Sequence, residues 1–369
     1  MDSRSTTGTR STGAAATRAT RVERYDTIVI GAGQAGLATG YYLAERGADF
    51  VILDAAARVG DSWRKRWDSL RLFTTAAHSG LPGMPFPAPP AHLPDRDEVA
   101  DYLERYAERM DLPVRLGCRV DSLVRSGERY VVHTDEMRYE ADSVVVATGP
   151  FQRPSVPALA KQLAPAIRQL HSSEYRNPFD LPAGSVLVVG AGNSGAQIAL
   201  ELARFRKVWL AGKESGHLPR RVLGRDVFDW LWPVMRRITK QTLGGRIFRR
   251  RAGKADPLVG MSARSLARAG IQRVGRATGV RGGLPVCEGE VLEPNVVIWC
   301  TGFEADYGWI DLPVLDESGW PRQSRGACTD SPGLYFVGLR LQHSLTSALI
   351  GGVAEDAAFV ADRVAGVRS

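Results

Sequence analysis

The sequence of 369 residues predicts an α/β fold with two similar domains, the second inserted in the first. An apolar strand, a glycine-rich turn and a helix occur twice, in IVIGAGQAGLATGYYL and in VLVVGAGNSGAQIALEL. Each copy closes with a strand that runs into Thr-Gly, in VVVATG and in VIWCTG. The interval is 118 residues from Gly31 to Gly149 and 112 residues from Gly190 to Gly302. A repeated start and end at nearly equal spacing indicates two copies of one architecture.

The order of the segments gives the expected domain boundaries. Residues 1–22 are rich in Ser, Thr, Ala and Arg and lack the apolar stretch of a secretory signal, so a disordered tail is expected rather than a targeting peptide. The first domain is expected over 23–158, and again over 293–369, because the last strand and amphipathic helix would complete it. The second domain then occupies 159–292 and includes a linker and a helical insertion at about 222–255.

Composition excludes several classes of protein. The hydrophobic fraction of 44% and the charged fraction of 24% are those of a globular chain, and no apolar run is long enough to span a bilayer. The net charge of +8 comes mainly from arginine, which favours a bacterial genome bias over a nucleic-acid surface. The four cysteines form no CxxC pair, so neither a disulfide scaffold nor a metal site is indicated, and a reducing cytoplasm is expected.

The first glycine turn, GAGQAG, has the features of a pyrophosphate-binding turn. One glycine permits the tight turn, the next lets the backbone approach a phosphate, and the third lets the helix pack closely on the strand. The phosphate would lie on the N–H groups of the following helix. A carboxylate at the end of the next strand can accept hydrogen bonds from a ribose diol. The expected contacts are Gly31, Gly33, Gln34, Ala35, Gly36 and Asp54.

The second glycine turn, GAGNSG, predicts a second Rossmann-like dinucleotide-binding domain with a different ligand. Its expected contacts are Gly190, Gly192, Asn193, Ser194 and Gly195. The next strand ends in Lys213 where the first copy has a carboxylate, and Arg220 and Arg221 follow shortly after. An ammonium attracts the 2′-phosphate that a carboxylate would repel, which favours NADPH over NADH. The alternative is that these bases are solvated surface groups.

Two dinucleotides on one chain indicate electron transfer between them. A tightly bound FAD and a diffusible NADPH form the natural pair, because a flavin can take two electrons and pass them on. The sequence therefore predicts a hydride transfer from NADPH to FAD.

Several motifs together resemble the class B flavin monooxygenases, and in particular their compact bacterial CzcO-like branch. The motifs are GAGQAG, GDSWRKRWDSLRLFT, VVVATGP, HSSEY, GAGNSG and CTGF, in that order, and the resemblance covers about residues 24–369. It implies that NADPH reduces FAD, that the reduced flavin adds oxygen to form a hydroperoxide, and that this oxidant oxygenates a small substrate. It also implies further contacts of the cofactors, at Trp63, Trp67, Leu72, Val120, Ala147, Thr148, Gly149, Thr301, Gly302, Gly338 and Leu339.

Two departures from the family pattern bear on mechanism. His171 and Tyr175 fit the motif FxGxxxHxxx(Y/F), but Pro165 replaces its Phe and Ile167 its Gly. The tyrosine, where Baeyer–Villiger enzymes carry tryptophan, favours oxygenation of nitrogen or sulfur. Phe73 stands where flavin-containing monooxygenases carry an asparagine near the flavin.

Three residues are candidate catalytic groups. His171 could orient the nicotinamide, or it could be a structural histidine of the linker. The final helix is expected to begin near Ser344–Thr346, so that its positive end stabilises the anionic reduced flavin. Gln342 and Ser347 would then line that edge of the flavin, unless the helix merely packs.

The stretch 226–251 combines aromatic residues with clustered Arg and Lys, in a predicted helix that is broken near Pro233 and Gly244-Gly245. It could lie on a membrane surface, cap the substrate entrance, or bury its aromatic side chains as a surface helical hairpin. The partners expected are a small substrate and oxygen, with a homodimer as a further option. The competing functions are a quinone or electron-carrier reductase without oxygenation and a non-catalytic flavoprotein regulator.

Overall fold

The computed structural model describes residues 21–214, 216–242, 244 and 257–366. Its first part contains the following strands and helices: β1 (Arg21–Ile30), α1 (Gln34–Glu45), β2 (Phe50–Leu53), α2 (Asp61–Arg64), α3 (Arg96–Arg109), β3 (Val114–Arg115), β4 (Val120–Ser126), β5 (Arg129–Thr134) and β6 (Met137–Val146). The expected tail therefore ends earlier than residue 22, since β1 pairs with β6 from Arg21 onward. Residues 1–20 of that tail lie outside the described residues.

The middle of the chain forms a second set of strands and helices. These are β7 (Arg153–Pro154), β8 (Arg168–His171), β9 (Val186–Val189), α4 (Asn193–Leu202), β10 (Val208–Ala211), β11 (His217–Leu218), β12 (Arg221–Val222), β13 (Arg225–Asp226), α5 (Val227–Arg237), β14 (Leu258–Val259), α6 (Ala263–Arg268), β15 (Gln272–Val274), β16 (Ala277–Arg281), β17 (Leu284–Cys287), β18 (Glu290–Val291) and β19 (Val296–Trp299). The last part contains β20 (Phe303–Glu304), β21 (Gln323–Ser324), β22 (Ala327–Cys328), β23 (Leu334–Phe336) and α7 (Ala354–Gly366).

Each domain is built on a parallel sheet. The first has the order β23-β6-β1-β2-β3, and the meander β4-β5 joins it through β6. The second has the order β15-β10-β9-β19-β8. Strand β23 pairs with β6 although the whole second domain lies between them in sequence, so the second domain is inserted in the first. The predicted fold class is confirmed.

The inner strands β2, β9, β10 and β19 are apolar and fully buried because both faces of each sheet are covered. In the first sheet, Val29 and Ile52 face a core shared with α1, α3 and α7, whereas Ile28 and Leu53 face the opposite core. The carboxyl ends of β1 and β9 thus emerge from a rigid sheet, which is where dinucleotides bind in such folds.

The boundary expected at residue 293 is wrong. Strand β19 lies beyond it but pairs with β9 and β8, so it belongs to the second sheet. The physical reason is that β19 lies beside β9 in the second parallel sheet, as β6 lies beside β1 in the first. The chain returns to the first domain only after Gly302, where β20 pairs with β7 and the two crossings between the domains run side by side.

Helix α5 runs through Pro233 and ends at Arg237, so the break expected at that proline is wrong. Pro233 is exposed, and its ring therefore meets solvent rather than a neighbouring element. The remainder of the stretch 226–251, beyond residue 244, lies outside the described residues.

One face of α5 packs on the first domain. Asp229 lies 2.9 Å from His78 Nε2, and the Trp232 ring stacks on His78 with ring centres 4.7 Å apart. Phe228 packs on Phe73 at 5.9 Å. Beyond the helix, Lys240 N–H donates to His343 O, which ties this segment to the end of the chain. For residues 227–237, these contacts favour a helix that packs Phe228 and Trp232 against the protein and leaves Trp230 exposed.

No helix in the described part of the chain is both long and apolar enough to cross a membrane.

Candidate active site

The two glycine turns have nearly the same geometry. Gly31 and Gly190, the first glycines, have φ of +107° and +111°, which only glycine adopts readily. Gly36 and Gly195, the third glycines, touch the turn itself: an added Cβ would lie 1.8 Å from Gly31 O and 1.9 Å from Gly190 O. The packing roles predicted for these positions agree with their surroundings.

The second glycine of each turn has no such reason to be glycine. Gly33 has φ of −77° and Gly192 has φ of −79°, which any residue adopts. A Cβ added at either position would meet no protein atom within 4 Å. Each stands directly before a helix, α1 or α4, whose first N–H groups point outward. Glycine is a favoured N-cap residue, and the open space beside each position leaves room for a pyrophosphate to approach, so both turns fit a dinucleotide.

Asp54 is fixed beside the first turn. Its Oδ2 accepts the Ala32 N–H at 2.6 Å and its Oδ1 accepts the Ala56 N–H at 2.7 Å. The Asp54 carbonyl accepts from Cys118 N–H at 2.8 Å, which brings the strand of Val120 to the same edge. The carboxylate predicted for the ribose and the strand of the predicted cofactor contact Val120 are therefore neighbours.

The other predicted contacts of the first cofactor surround the same turn. Ala147 N–H donates to Ile30 O at 2.8 Å, and Thr148 Oγ1 accepts from Gln152. A Cβ added at Gly338 would lie 2.8 Å from the Cβ of Ala35, so the segment with Leu339 passes close to the start of α1.

Trp63, Trp67 and Leu72 lie where the two domains meet. Trp63 and Leu72 each pack against the cores of both domains, and Trp67 is buried in the core of the second. The indole N–H of Trp67 is buried without a hydrogen-bond partner among the described residues. Such an orphaned donor is costly in a finished core and fits a site completed by a ligand.

The second turn is partly committed to the protein. Asn193 Oδ1 accepts the Val259 N–H at 3.0 Å and its Nδ2 donates to Pro257 O at 3.1 Å, so this side chain holds β14. Ser194 is exposed beside it. The backbone N–H groups of α4, rather than the Asn193 side chain, remain for a phosphate.

The basic residues predicted for the 2′-phosphate separate into two groups. Lys213 is exposed directly after β10, as predicted. Arg220 instead donates to Phe73 O at 2.7 Å and pairs with Asp226, so its guanidinium joins the β12–β13 hairpin to the first domain. Arg221 is exposed in the same hairpin.

Arg273 is a basic residue that the sequence reasoning missed. It lies on β15, the neighbour of β10, and its Nη2 donates to Gly212 O at 3.2 Å. It therefore stands next to Lys213. The only signal in the sequence was its place near the end of a short strand, and the pairing of β15 with β10 was needed to interpret it.

His171 is buried and both ring nitrogens are occupied. Ser173 N–H donates to Nδ1 at 3.2 Å, so Nε2 carries the proton and donates to Gly302 O at 3.0 Å. Burial lowers the pKa of His171, which keeps the ring neutral. These contacts favour the structural alternative: His171 holds the second Thr-Gly turn, which includes Thr301, against β8.

The final helix begins later than predicted. Helix α7 starts at Ala354, after a short 3₁₀ turn, and not near residues 344–346. The cause is a close approach of backbones: a Cβ added at Gly351 would lie 2.4 Å from His78 O, and one at Gly352 2.1 Å from Thr346 O. The chain needs these glycines to turn before the helix can form.

Gln342 and Ser347 brace the segment before α7. Gln342 Nε2 donates to Phe336 O at 2.8 Å, and Ser347 Oγ accepts from the N–H groups of His343 and Ser344, each at 3.0 Å. Asp356, missed by the sequence reasoning, is buried close by. Burial raises its pKa to about 6, against the opposing effects of Ser347 and Arg325.

The cysteines do not form a reactive dithiol. All four are free, and burial raises the pKa of Cys300 to about 12 and that of Cys287 to about 11. A protonated, buried thiol is a poor nucleophile for disulfide exchange. This chemistry does not support a disulfide reductase.

This chain is similar to several known proteins. The family model described as pyridine nucleotide-disulphide oxidoreductase matches residues 28–243. An uncharacterized CzcO-like oxidoreductase of Geobacillus kaustophilus is 43% identical over 91% of this chain and 97% of its own length. The indole-3-pyruvate monooxygenase YUCCA4 of Oryza sativa is 29% identical over 84% of this chain and 82% of its own. The solved flavin-containing monooxygenase of Stenotrophomonas maltophilia is 28% identical with a TM-score of 0.74, over 94% of this chain and all of that one.

The chain is a CzcO-like member of the class B flavin monooxygenase family. It is an FAD-dependent oxidoreductase, and its cofactors are FAD and NADPH, as predicted. The monooxygenases among its relatives support flavin-dependent monooxygenase activity for this chain. The match to a disulphide oxidoreductase model reflects the shared arrangement of two dinucleotide domains, because the protonated cysteines lack the chemistry of that name.

Proposed function

We propose that the chain oxygenates a small nucleophilic substrate, at nitrogen or sulfur, with electrons from NADPH. The observation that carries the proposal is the pair of second glycines, Gly33 and Gly192, which neither backbone conformation nor packing explains. Two pyrophosphate turns on one chain fit a flavin that is reduced by a second nucleotide. When bound, FAD supplies the two-electron and oxygen chemistry, for which the protein needs no acid–base dyad.

The residues of this chain would divide the remaining tasks. Asp54 would bind the ribose of FAD and Lys213 the 2′-phosphate of NADPH, each at the end of the second strand of its sheet. Trp63 and Leu72 would exclude water where the domains meet. His171 would hold the second Thr-Gly turn in place through its bond to Gly302 O.

The segment with Phe73 differs from the family pattern and has its own role. Phe73 packs on Phe228 of α5, and its carbonyl accepts from Arg220. An asparagine amide is thus replaced by an apolar contact that joins the two domains. We expect this contact to close the substrate region on the side of α5.

The test uses the purified holoprotein with NADPH and ¹⁸O₂. Methyl phenyl sulfide and N,N-dimethylbenzylamine serve as sulfur and nitrogen probes, and cyclohexanone serves as the Baeyer–Villiger comparison. Incorporation of one labelled oxygen atom into sulfoxide or N-oxide, in step with NADPH oxidation, is the expected result. Recovery of all consumed oxygen as hydrogen peroxide with every probe would contradict the proposal and favour a reductase.

A further inference from the structure

A small pocket lies where the chain crosses between the domains. Its volume is about 250 Å³, and its wall includes Lys65, Arg66, Phe151, Gln152, Ser173 and Phe303. The first two follow α2, the next two follow the first Thr-Gly turn, and Phe303 follows the second. The elements expected to hold both cofactors therefore surround the pocket.

Arg66 is the unusual group in this pocket. Its guanidinium carbon lies 5.3 Å from the centre of the Phe151 ring and 5.2 Å from that of Phe303. Burial lowers its pKa. Among the described residues its guanidinium has no ion pair and no hydrogen bond, and the aromatic rings are its only described partners.

A desolvated cation without an anion is expensive, and aromatic faces offset only part of that cost. The nearby acidic side chains are used elsewhere. Glu304 pairs with Arg153, and Glu174 accepts the backbone N–H of His171. The pocket wall itself contains no acidic residue. The two charged residues on the wall, Arg66 and the exposed Lys65, are therefore both cations.

The polar groups of the pocket wall also favour an anionic ligand. The side-chain amide of Gln152 is occupied by hydrogen bonds within the protein: its Nε2 donates to Thr148 and Gly149, and its Oε1 accepts from Asp306. The Ser62 hydroxyl remains on the wall and can donate a hydrogen bond to an anion, whereas the Ser173 hydroxyl donates to His171 Nδ1. The planar guanidinium suits a carboxylate or phosphate better than it suits a neutral group.

We propose that this pocket is an oxyanion subsite that binds a carboxylate or phosphate group through Arg66 and Lys65. This inference rests on the proposed function. The bound anionic group would belong either to a substrate with a carboxylate or to a phosphate of the coenzyme. In the first case the enzyme selects acidic substrates over their neutral analogues. In the second case Arg66 helps to hold NADPH.

The experiment measures binding without turnover. Phenylacetate and its methyl ester are titrated into the oxidised holoprotein, with flavin absorbance and tryptophan fluorescence as readouts, and NADPH is tested by its anaerobic reduction of the flavin. The variants are Arg66→Met, Arg66→Lys and Lys65→Met. Lys161→Met, which removes an exposed lysine elsewhere on the linker, is the matched control. Retained flavin and an unchanged melting temperature show that each variant is folded.

Each outcome decides the proposal. A rise of about tenfold or more in the Kd of phenylacetate in Arg66→Met, with the ester unaffected and Arg66→Lys intermediate, supports the substrate source. An equal rise in the NADPH concentration for half-maximal reduction, with phenylacetate unaffected, supports the coenzyme source. The subsite is refuted if neither the Kd of phenylacetate nor the NADPH concentration for half-maximal reduction changes by more than about twofold in Arg66→Met. It is also refuted if the wild type binds phenylacetate no better than its methyl ester and the NADPH concentration for half-maximal reduction is unchanged in the variant. Because these measurements do not depend on oxygenation, the binding results can be interpreted even if the protein oxygenates none of the probes.

Discussion

Replacing Gly192 by alanine should weaken NADPH binding without disturbing the fold or the flavin. The structure shows that the new methyl group would meet no protein atom within 4 Å and that φ of −79° is acceptable for alanine. Alanine reduces the conformational freedom of the unfolded chain, which stabilises by about 0.4–1 kcal/mol, but it is a poorer N-cap for α4 than glycine; the two effects oppose each other, and little net change in stability is expected. Only a ligand that approaches the turn closely would feel the substitution.

The size of the effect follows from the bonds at risk. A hydrogen bond from a backbone N–H to a charged phosphate contributes about 1.5–3 kcal/mol. Losing one such bond should raise the Kd of NADPH by about 10- to 150-fold. Anaerobic stopped-flow reduction of the flavin at increasing NADPH concentration measures this value directly, and the flavin-to-protein ratio reports retention of FAD.

Gly33→Ala is the matched variant, because its surroundings in the first turn are the same. It should release FAD and leave a folded apoprotein. The reasoning would be refuted if Gly192→Ala lost FAD instead, or if it kept the wild-type affinity for NADPH.

Three further predictions test other parts of the molecule. Trp232→Ala should lower the melting temperature and expose the α5 region to proteolysis, whereas Val234→Ala, on the exposed side of the same helix, should lower neither the melting temperature nor the resistance to proteolysis. Asp356→Asn should stabilise the protein at neutral pH by about 3 kcal/mol, because a pKa of about 6 in the folded state, against an ordinary 3.8, penalises the ionised carboxylate. This gain in stability should shrink as the pH falls from 6 to about 4 and vanish below pH 4. Thermal denaturation across this pH range measures it. Lys213→Ser and Arg273→Gln should each reduce the preference for NADPH over NADH by about tenfold in kcat/KM, and an equal loss with both coenzymes would contradict the assignment to the 2′-phosphate.

The parts of the site that depend on local chain geometry could be predicted from the sequence. A tight turn between an apolar strand and a helix needs glycines at fixed spacing, so Gly31, Gly36 and their counterparts were identifiable. The carboxylate of Asp54 followed from its place at a strand end. The paired turns and the inserted topology are confirmed by the sheets.

The parts that depend on which elements meet in space could not be predicted. Arg273 and Arg66 become interesting only through neighbours that are distant in sequence, Gly212 in one case and two aromatic rings in the other. The start of α7 was misplaced because a Ser- and Thr-rich segment resembles a helix N-cap, while the close approach of Gly351 to the distant carbonyl of His78 could not be inferred from that segment. The contact between α5 and His78 was likewise hidden by a separation of about 150 residues.

The side-by-side crossings between the domains restrict how the second domain can move. A single connecting strand would leave three independent rotations about the joint. Here β7 and β20 pair with each other, and Ser155 N–H donates to Gly302 O at 3.0 Å, so the joint has width as well as length. A joint of this shape resists twisting about the chain direction and bends mainly about one axis that runs across both strands. We expect bending about that axis to move the two nucleotide turns together and apart with little sideways displacement, so that the hydride donor and acceptor meet in the same register each time.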